Sequence, residues 1–575
     1  MNYHSRKLLK LNLAPWRMAT VGGLLLVGLT VVAGRAFYLQ GLNTDYLQGK
    51  GDAVANRNLT LPAHRGQVTD RHGQLLAIST PVESLWARGV DLDLSADQQA
   101  HLARVLDLTP AALTKILSRK TRGEFAVRRP VTPEQALKIA AMGLPGLSLR
   151  REYRRYYPAG AVTAQVVGFT NVDDKGQEGV ERAYQDWLAG RAGERQILRD
   201  RHGNTIRDLV PVKSAQMGGN LTLSLDLRIQ YLAYRELAAA IAKNKAKGGS
   251  IVVLDAKTGE ILALANEPVF NPNNRQNYRP DLMRNRAVID TFEPGSTIKP
   301  FVAAAVLERG LFRPDSVIET ASFRVGPKMV HDEHRHDHLT VTEIIQKSSN
   351  IGAAKMALTL TPQQHWEVLH RAGFGELPGS GFPGETAGRL RDPSTWKPVE
   401  QATMAYGYGL SVSLLQLTRA YMAFANDGEV MPLSFLKREP QEIVGERVFS
   451  ANVAREVRTM MEAVTQEGGT GTLTRVPGYR VAGKTGTAHK LVNGHYAPDL
   501  YLASFVGMAP ASNPRLIIGV TIDEPTGDAY YGGSVAGPVF AQVMAACLRL
   551  LGLPPDAPET ETKMTENALP AKGGA

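Results

Sequence analysis

The sequence predicts an α+β protein. We expect a central antiparallel sheet flanked by helices, with a helical subdomain, behind one N-terminal membrane helix. Three observations predict this class: a charge-free apolar run lies near the N-terminus, strand-like runs open and close the second half of the chain, and helical patterns lie between those strands. Helices grouped between strand-forming ends are typical of an α+β sheet with a helical subdomain.

Length and composition indicate a multidomain globular protein. A chain of 575 residues is too long for one hydrophobic core, so about two to four domains are expected. Hydrophobic residues make up 43% of the chain and charged residues 21%, which excludes the fibrous and disordered classes. The single cysteine, Cys547, excludes an internal disulfide framework and a cysteine-based zinc cluster.

The net charge of +11 does not indicate nucleic-acid binding. The excess lies entirely in residues 1–215, and residues 216–575 are neutral with 36 basic and 36 acidic side chains. The densest basic run, LRREYRRYY at 149–157, interleaves arginine with tyrosine. A solvated or interdomain face explains such a run better than polyanion binding does. We therefore predict no nucleic-acid partner.

A membrane anchor is predicted at residues 18–39. Residues 18–34 carry no charge, and the span reaches a comfortable length if the Arg35 side chain extends to the interface. The basic residues before this run predict a cytoplasmic tail, residues 1–17, with the rest of the chain beyond the inner membrane. A cleaved signal peptide is the alternative, because VAG at 32–34 resembles a cleavage site. We favour the uncleaved anchor.

Two units and a tail are predicted after the anchor. Residues 57–215 are rich in strand-like runs and contain one clear helical pattern at 94–108, with Ser95 as its N-cap. Residues 216–552 begin with an amphipathic helix and a β-hairpin that turns at Asp255–Gly259, and they end in the strand-like runs RVAGKTGTA, YLASFVGMAP and RLIIGVTID. Residues 553–575 lack apolar periodicity and are predicted to be disordered.

The run TFEPGSTIKPF, residues 291–301, places a hydroxyl and an amine at the start of an apolar helix. Ser296 and Lys299 are three residues apart, so they share one face of that helix. Pro300 lies in the first turn, where its missing N–H is harmless. The pair is either a serine nucleophile with its base or an N-cap serine followed by an ordinary surface lysine. The pair alone does not decide between these two interpretations.

Related triplets occur several times, and their context separates them. S-x-x-K also occurs at Ser394 and Ser434, S-x-N also at Ser450, and K-T-G also at Lys257. Lys257 lies in the predicted hairpin turn, Ser450 is the predicted N-cap of an amphipathic surface helix, and Ser434 lies too close to Ser450 for a helical subdomain between them. Ser394 leads into PVEQATMAYGYG, which we interpret as too rich in glycine and tyrosine for a buried helix. The remaining set comprises Ser296, Lys299, Ser348, Asn350, Lys484, Thr485, Gly486 and Thr487.

This ordered set resembles that of the penicillin-binding proteins and serine β-lactamases. The chemistry explains the residue types, because a serine hydroxyl needs an adjacent base. Lys299 would have to lose about three pKa units, or about 4 kcal/mol, to act as that base near neutral pH. We expect burial and repulsion from Lys484 to lower its pKa.

The remaining roles follow from the same resemblance. Ser348 would relay a proton, and Asn350 would orient the substrate amide. Thr485 and Thr487 would hold a carboxylate together with Lys484. The main-chain N–H groups of Ser296 and Thr487 would form the oxyanion hole.

Further stretches resemble one branch of the family. HRGQVTDRHGQLLA (64–77) and GQEGVERAYQDWLAG (176–190) resemble the non-catalytic pedestal domain of class B penicillin-binding proteins. GFPGE (381–385), AYGYGLSVSLLQL (405–417) and DEPTGDAYYGG (523–533) resemble the division-specific septal transpeptidases of Gram-negative bacteria. The resemblance assigns a pedestal to residues 57–215 and a penicillin-binding, β-lactamase-like transpeptidase domain to residues 216–552.

The resemblance implies a peptidoglycan D,D-transpeptidase of the septal wall. Ser296 would attack the penultimate D-Ala of a stem peptide and release the terminal D-Ala, and a neighbouring stem peptide would resolve the acyl-enzyme. β-Lactams would acylate the same serine. The implied partners are a septal glycosyltransferase of the shape, elongation, division and sporulation (SEDS) family, other divisome membrane proteins and the inner membrane. No cofactor is implied.

The run HDEHRHDH, residues 331–338, departs from the family pattern. Four histidines and three carboxylates in eight residues suggest a metal site, and alternate histidines would share one face of a strand. A solvated turn or strand near the mouth of the site is the interpretation we favour. No metal is assigned.

Four other functions compete with the septal transpeptidase. An elongation-specific transpeptidase would share the chemistry but not the septal partners. A β-lactam sensor would need further membrane helices, and a catalytically idle septal scaffold would have no reason to keep three motifs. A soluble β-lactamase would lack the pedestal and would need a base for deacylation, which the sequence does not identify. Slow hydrolysis of the acyl-enzyme is therefore predicted.

Overall fold

The N-terminal part of the chain is one long apolar helix. The computed structural model describes residues 14–47, 56–118, 123–199, 205–274, 279–439 and 443–557. Its first helix, Pro15–Phe37, has Pro15 at its start and continues into a π-helical turn, Tyr38–Leu42. Residues 15–42 are long and apolar enough to cross a membrane, and none of the helix is buried by the rest of the chain. This agrees with the predicted anchor.

The region predicted as the pedestal, residues 57–215, contains two groups of paired strands. A three-stranded sheet has the order Asn56–Leu61, Gly193–Arg199, Thr205–Lys213. In a second sheet the long strand Leu75–Arg88 pairs with Val68–Thr69, Glu124–Val131 and Leu147–Tyr156, and Val68–Thr69 also pairs in parallel with Leu221–Thr222. The pedestal helices are Ala96–Val105, Pro110–Leu117, Pro133–Met142, Ala164–Val167, Gly179–Ala183 and Gln185–Ala189, with a 3₁₀ turn at Gly160–Thr163.

Local signals in the pedestal place its helices. The predicted N-cap Ser95 accepts a hydrogen bond from the Gln98 main-chain N–H, and the Gln98 side chain returns a bond to Ser95, so the helix begins at Ala96 with a capping box. Leu102 and Ala103 of that helix pack with Leu85 and Ala87 of the long strand. The predicted cap is confirmed.

One buried carboxylate lies between two buried guanidinium groups in the pedestal. Glu181 accepts hydrogen bonds from Arg65 Nε at 2.7 Å and from Arg155 Nε at 2.6 Å. All three side chains are at most 1% exposed. Arg155 belongs to the basic run 149–157, so the interpretation of this run as a solvated or interdomain face is wrong for that residue.

The central sheet is antiparallel and buried on both faces. Its five strands have the order Ile261–Glu267, Gly248–Asp255, Leu516–Asp523, His495–Ala509, Ala482–Val492. Along Gly248–Asp255, Ile251 and Val253 pack into one core while Val252 and Leu254 pack into another. Alternate side chains of a strand point to opposite faces, so a continuous apolar run indicates a strand covered on both sides. The predicted hairpin and all three late strands are confirmed.

The two faces of this sheet carry different helices. Helices Leu227–Lys243 and Gly537–Leu550 pack on one face. The other face is covered by the helical subdomain. Its helices are Pro280–Met283, Arg286–Ile289, Lys299–Glu308, Val341–Lys347, Asn350–Ala357, Pro362–Arg371, Pro398–Met404, Leu414–Ala420, Met422–Ala425 and Ala451–Thr465, with 3₁₀ turns at Gly295–Ile298, Pro393–Thr395 and Thr472–Thr474 and a short helix at Gly532–Val535 near the edge strand.

Short β-pairs and a terminal segment complete the fold. The pairs are Val317–Glu319 with His338–Thr340, Phe323–Val325 with Lys328–Val330, and Glu429–Val430 with Glu446–Arg447. Residues 553–557, predicted as the start of a disordered tail, lie against the sheet domain, where Asp556 accepts hydrogen bonds from the main-chain N–H groups of Arg480 and Ser512. Residues 558–575 lie outside the described part of the chain.

Candidate active site

Ser296 lies in a tight turn that leads into a buried helix. The 3₁₀ turn Gly295–Ile298 precedes the helix Lys299–Glu308, whose first nine residues are all buried. Gly295 has φ +56°, and its N–H donates to the Gly407 carbonyl oxygen at 3.2 Å. Ser296 is partly exposed between buried neighbours. The turn therefore presents this hydroxyl on an otherwise buried element.

Lys299 is fully buried and donates three hydrogen bonds. Its Nζ bonds to the main-chain oxygen of Ser348, to Ser348 Oγ at 3.2 Å and to Asn350 Oδ1 at 2.8 Å. Burial lowers the pKa of Lys299 to about 7, against the opposing charges of Asp332 and Glu333. An amine with this pKa is neutral in a large fraction of molecules at neutral pH.

Lys484 reaches the same hydroxyl from the edge strand Ala482–Val492. Its Nζ donates to Ser348 Oγ at 2.9 Å and to the main-chain oxygen of Thr485 at 3.3 Å. Burial, followed by repulsion from Lys299, holds the pKa of Lys484 well below its usual value. Repulsion between two like charges is mutual, so the contact that disfavours the ammonium form of Lys484 also disfavours that of Lys299. Burial is the largest cause of the lowered pKa of both lysines.

Ser348 occupies a strained position between two helices. Its φ of +61° ends the helix Val341–Lys347, and Ser349 caps the next helix, Asn350–Ala357, through the Gly352 N–H. Left-handed backbone is uncommon for a residue with a Cβ atom and is found mainly where the surroundings fix it.

Asp332 fixes that turn from the neighbouring loop. Its carboxylate accepts hydrogen bonds from Ser349 Oγ and from the main-chain N–H groups of Asn350 and Ile351, the last at 3.0 Å. The His331 carbonyl oxygen accepts from Asn350 Nδ2 at 3.1 Å. Our sequence analysis missed Asp332. The only available signal was its position in the unusual run 331–338.

The edge strand Ala482–Val492 closes the site. Thr485 Oγ1 lies 2.7 Å from Thr470 Oγ1, and Thr487 Oγ1 accepts from the Gly532 N–H at 3.0 Å. A Cβ atom on Gly486 would lie 2.4 Å from Ser504 Oγ and 2.9 Å from Thr297 Cγ2. Glycine at 486 therefore lets the strand pass directly beside the turn Gly295–Ile298.

All eight predicted site residues meet around one cavity of about 530 Å³. Ser296, Ser348, Asn350, Thr485 and Thr487 line it. Lys299 and Lys484 lie fully buried behind this wall, and Gly486 lies within the edge strand. The arrangement brings a hydroxyl, a lysine of lowered pKa, a second lysine and a row of threonines together, as acyl transfer through a serine requires.

Comparison with known proteins shows the family of this chain. Residues 249–545 match the penicillin-binding protein transpeptidase domain, and residues 60–223 match the penicillin-binding protein dimerisation domain. The chain belongs to the penicillin-binding protein family. It is an enzyme of the serine type with both domains of the class B branch.

Named relatives cover almost the whole chain. The probable peptidoglycan D,D-transpeptidase PenA of Neisseria gonorrhoeae is 46% identical over 532 residues, which are 92% of this chain and 91% of the relative. The peptidoglycan D,D-transpeptidase FtsI of Escherichia coli K12 is 41% identical over 559 residues, 96% and 95% of the two chains. The apo transpeptidase domain of Burkholderia pseudomallei penicillin-binding protein 3 is 47% identical, covers 58% of this chain and 98% of that domain, and superposes with a TM-score of 0.55.

The similar triplets elsewhere in this penicillin-binding protein serve other contacts. The Ser394 hydroxyl bonds to Asp392, the Ser434 hydroxyl to the Leu436 carbonyl oxygen, and the Ser450 hydroxyl to Glu308. The interpretation of the stretch after Ser394 as too rich in glycine and tyrosine for a buried helix is wrong in one respect. Its first part forms a short helix, Pro398–Met404, with Gln401, Ala402 and Met404 buried. The glycines and tyrosines begin only after this helix ends.

The His-rich loop lies at the mouth of the site. Asp332, Glu333, His334 and His336 line the cavity, as do the tyrosines Tyr501, Tyr530 and Tyr531. Residues 331–337 form no strand, so the alternate histidines do not share a strand face as the metal interpretation required. Among the described residues no group of three or more His, Cys, Asp or Glu side chains is placed to hold a metal ion.

A larger cavity, about 1050 Å³, lies in the pedestal and carries no such chemistry. Charged side chains that line this cavity form ion pairs with one another. Arg88 bonds to Asp91 at 3.0 Å and Arg129 to Glu152 at 2.7 Å. Residue chemistry, and not cavity volume, therefore selects the candidate active site of this penicillin-binding protein.

Proposed function

We propose that this penicillin-binding protein cross-links septal peptidoglycan as a D,D-transpeptidase, with Ser296 as its nucleophile. The observation that carries the proposal is the pair of buried lysines that share the Ser348 hydroxyl beside Ser296. Two amines are held out of water on either side of a hydroxyl, an arrangement suited to moving protons between a nucleophile and a leaving group.

Lys299 acts as the base in this proposal. Its three hydrogen bonds account for all three protons of an ammonium group. The neutral amine has two N–H bonds and a lone pair, so deprotonation releases one of these contacts and frees the lone pair for the Ser296 hydroxyl. Catalytic hydrogen bonds of this kind are often loose before substrate binds.

Acylation then follows by attack on the donor stem peptide. Ser296 Oγ adds to the carbonyl carbon of the penultimate D-Ala, the C–N bond to the terminal D-Ala breaks, and that amine leaves with a proton relayed through Ser348. The N–H groups of Ser296 and Thr487 stabilise the oxyanion. Asn350 orients the substrate amide, and Thr485, Thr487 and Lys484 hold the terminal carboxylate.

The second half-reaction forms the cross-link. The side-chain amine of a neighbouring stem peptide attacks the ester carbonyl and gives up a proton to the neutral Lys299. The C–O bond to Ser296 then breaks, and Ser296 Oγ leaves with that proton. A β-lactam takes the donor's place, but its ring-opened product keeps the leaving amine tethered in the site. The resulting penicilloyl enzyme is expected to hydrolyse slowly, which distinguishes this protein from a β-lactamase.

The septal assignment rests on resemblance alone, and the anchor supports only the membrane location. The similarity to FtsI spans 96% of this chain and includes the N-terminal apolar helix. The protein would then be a single-pass inner-membrane enzyme at the division septum, with its catalytic domain periplasmic. A septal SEDS-family glycosyltransferase and other divisome proteins would be its partners. An elongation-specific role is the second candidate.

Intact-protein mass spectrometry with benzylpenicillin tests the nucleophile. We expect the full-length protein to carry one stable penicilloyl adduct and Ser296→Ala to carry none, while Ser394→Ala and Ser434→Ala keep the adduct. An adduct that survives in Ser296→Ala would move the nucleophile elsewhere. No adduct on the unaltered protein would instead favour the idle scaffold.

A further inference from the structure

A buried glutamine of the pedestal holds a segment of the transpeptidase domain. Gln165 lies in the short helix Ala164–Val167 and is 6% exposed. Its Nε2 donates to the main-chain oxygen of Leu282 at 2.8 Å and to that of Pro268 at 3.1 Å. Its own main-chain oxygen accepts from Asn285 Nδ2 at 3.2 Å. Gln165 thus binds the segment 282–287, which we call the approach segment, at two points.

Two buried asparagines continue this contact into the central sheet. Asn285 Oδ1 accepts from Asn266 Nδ2 at 3.0 Å. Asn266 Oδ1 in turn accepts from Ser250 Oγ at 2.7 Å and from the Ala287 main-chain N–H at 2.8 Å. Both asparagines are at most 2% exposed. The approach segment is therefore fixed between the pedestal and the sheet by buried amide groups.

The approach segment leads directly to the nucleophile. Nine positions separate Ala287 from Ser296. Along that stretch Phe292 exchanges two main-chain hydrogen bonds with Val412, at 3.0 and 2.9 Å, and Gly295 bonds to Gly407 at 3.2 Å. These later contacts lie within the transpeptidase domain. Of the three anchor points described here, only the amide contact links this stretch to the pedestal.

We propose that Gln165 is a positioning residue for Ser296, through which the pedestal sets the placement of the nucleophile turn. The proposal rests on the proposed acylation of Ser296. Removing the Gln165 amide leaves the Leu282 and Pro268 carbonyl oxygens buried without their donor, and the approach segment must move to satisfy them. A displacement of about 1 Å at a reacting group costs up to about 100-fold in rate.

Gln230 offers a matched control at the same domain junction. Its Nε2 donates to the main-chain oxygen of Val162 in the pedestal at 2.8 Å and to that of Leu264 at 2.8 Å, and its Oε1 accepts from the Leu264 N–H at 2.8 Å. Gln230 is also buried, and none of these three hydrogen bonds goes to the approach segment. Gln165→Met and Gln230→Met therefore both remove a buried amide bridge between pedestal and sheet, and only the first affects residues 282–287.

The experiment measures acylation of the full-length protein by benzylpenicillin at increasing concentrations, which separates the acylation rate constant from the affinity. Melting temperatures are measured in parallel, and all rates are taken well below them. We expect Gln165→Met to lower the acylation rate constant by about 10- to 100-fold. Gln230→Met should stay within about twofold of the unaltered protein even where its melting temperature falls as far.

The outcomes separate the two proposals. Equal rate losses in both variants, or an unchanged rate in Gln165→Met, would overturn the positioning role. If Gln165→Met does not fold, the near-isosteric Asn285→Asp replaces it, because this change sets a carboxylate against the Gln165 carbonyl oxygen and should lower the same rate constant. An unaltered protein that forms no adduct on Ser296 would overturn the proposed function itself, and with it this inference.

Discussion

Lys299 and Lys484 donate hydrogen bonds to the same hydroxyl, that of Ser348, at 3.2 and 2.9 Å. Both amines are fully buried, and the pKa of each lies below its usual value. Two full positive charges at this separation would be costly in a buried site. The pair therefore favours a state with one proton fewer, which is the state that base catalysis at Ser296 needs.

Acylation should rise with pH through the titration of Lys299. The pKa of about 7 gives a neutral amine above that value and an ammonium below it, so the rate should fall about tenfold per pH unit on the acid side. Lys299→Met should lower acylation by about 10²- to 10⁴-fold. Quenched-flow mass spectrometry between pH 5 and pH 9 measures both. Lys397→Met, in the triplet at Ser394, is the control and should leave the profile unchanged.

The backbone at Ser348 predicts an order of stability. With φ at +61°, a residue with a Cβ atom is strained at this position. The free energy of unfolding of Ser348→Gly should therefore be about 1 kcal/mol higher than that of Ser348→Ala. Both variants lose the hydroxyl that bridges the two lysines, and both should acylate far more slowly. Denaturant titration compares the two directly. Equal stabilities would show that this backbone angle is not strained.

Local pattern was enough to predict much of this fold and site. The hairpin turn at Asp255–Gly259, the cap at Ser95 and the strand of Lys484 depend on neighbours in sequence. The order of the three motifs then selected eight residues that meet around one cavity. Such features are predictable because each motif lies on a single helix, turn or strand, whose formation depends mainly on neighbouring residues.

Contacts between segments that are distant in sequence could not be predicted from local sequence patterns. Asp332 reaches Ser349 only because the loop after Lys328–Val330 folds back over the next helix. The exchange of hydrogen bonds among Gln165, Asn285 and Asn266 joins three elements whose spacing in sequence carries no pattern. The approach of the Lys299 and Lys484 amines to one hydroxyl, that of Ser348, likewise depends on how the chain packs.

Asp332 should affect both the geometry and the protonation of the site. Asp332→Asn weakens the acceptor for the N–H groups of Asn350 and Ile351, and a lost helix cap costs about 1 kcal/mol. The Asp332 charge raises the pKa of Lys299 against burial, so its removal should shift the acid limb of the acylation profile to lower pH. Asp337→Asn changes an exposed carboxylate of the same loop. That control should leave both stability and profile unaltered, and an equal shift in it would contradict the role of Asp332.

His365 should make the transpeptidase domain acid-sensitive. Its imidazole is fully buried against Trp396, neither ring nitrogen has a partner among the described residues, and burial lowers its pKa to about 4. Between pH 6.5 and pH 4 the unfolded chain binds a proton that the folded chain excludes. The free energy of unfolding should therefore decrease as the pH is lowered from 6.5 to 4, by about 3 kcal/mol in total.

Replacing the ring tests this directly. His365→Phe keeps an aromatic side chain against Trp396 but cannot be protonated, so its unfolding free energy should lose this part of the pH dependence. His370→Phe is the control. It lies on the same helix and keeps a ring beside Trp366. The His370 side chain is 36% exposed, so this change should leave the pH dependence of the unfolding free energy nearly unaltered. Denaturant titrations followed by tryptophan fluorescence at pH 7.5, 6, 5 and 4.5 provide the comparison. Parallel pH curves for the unaltered protein and His365→Phe would show that His365 is not the group responsible.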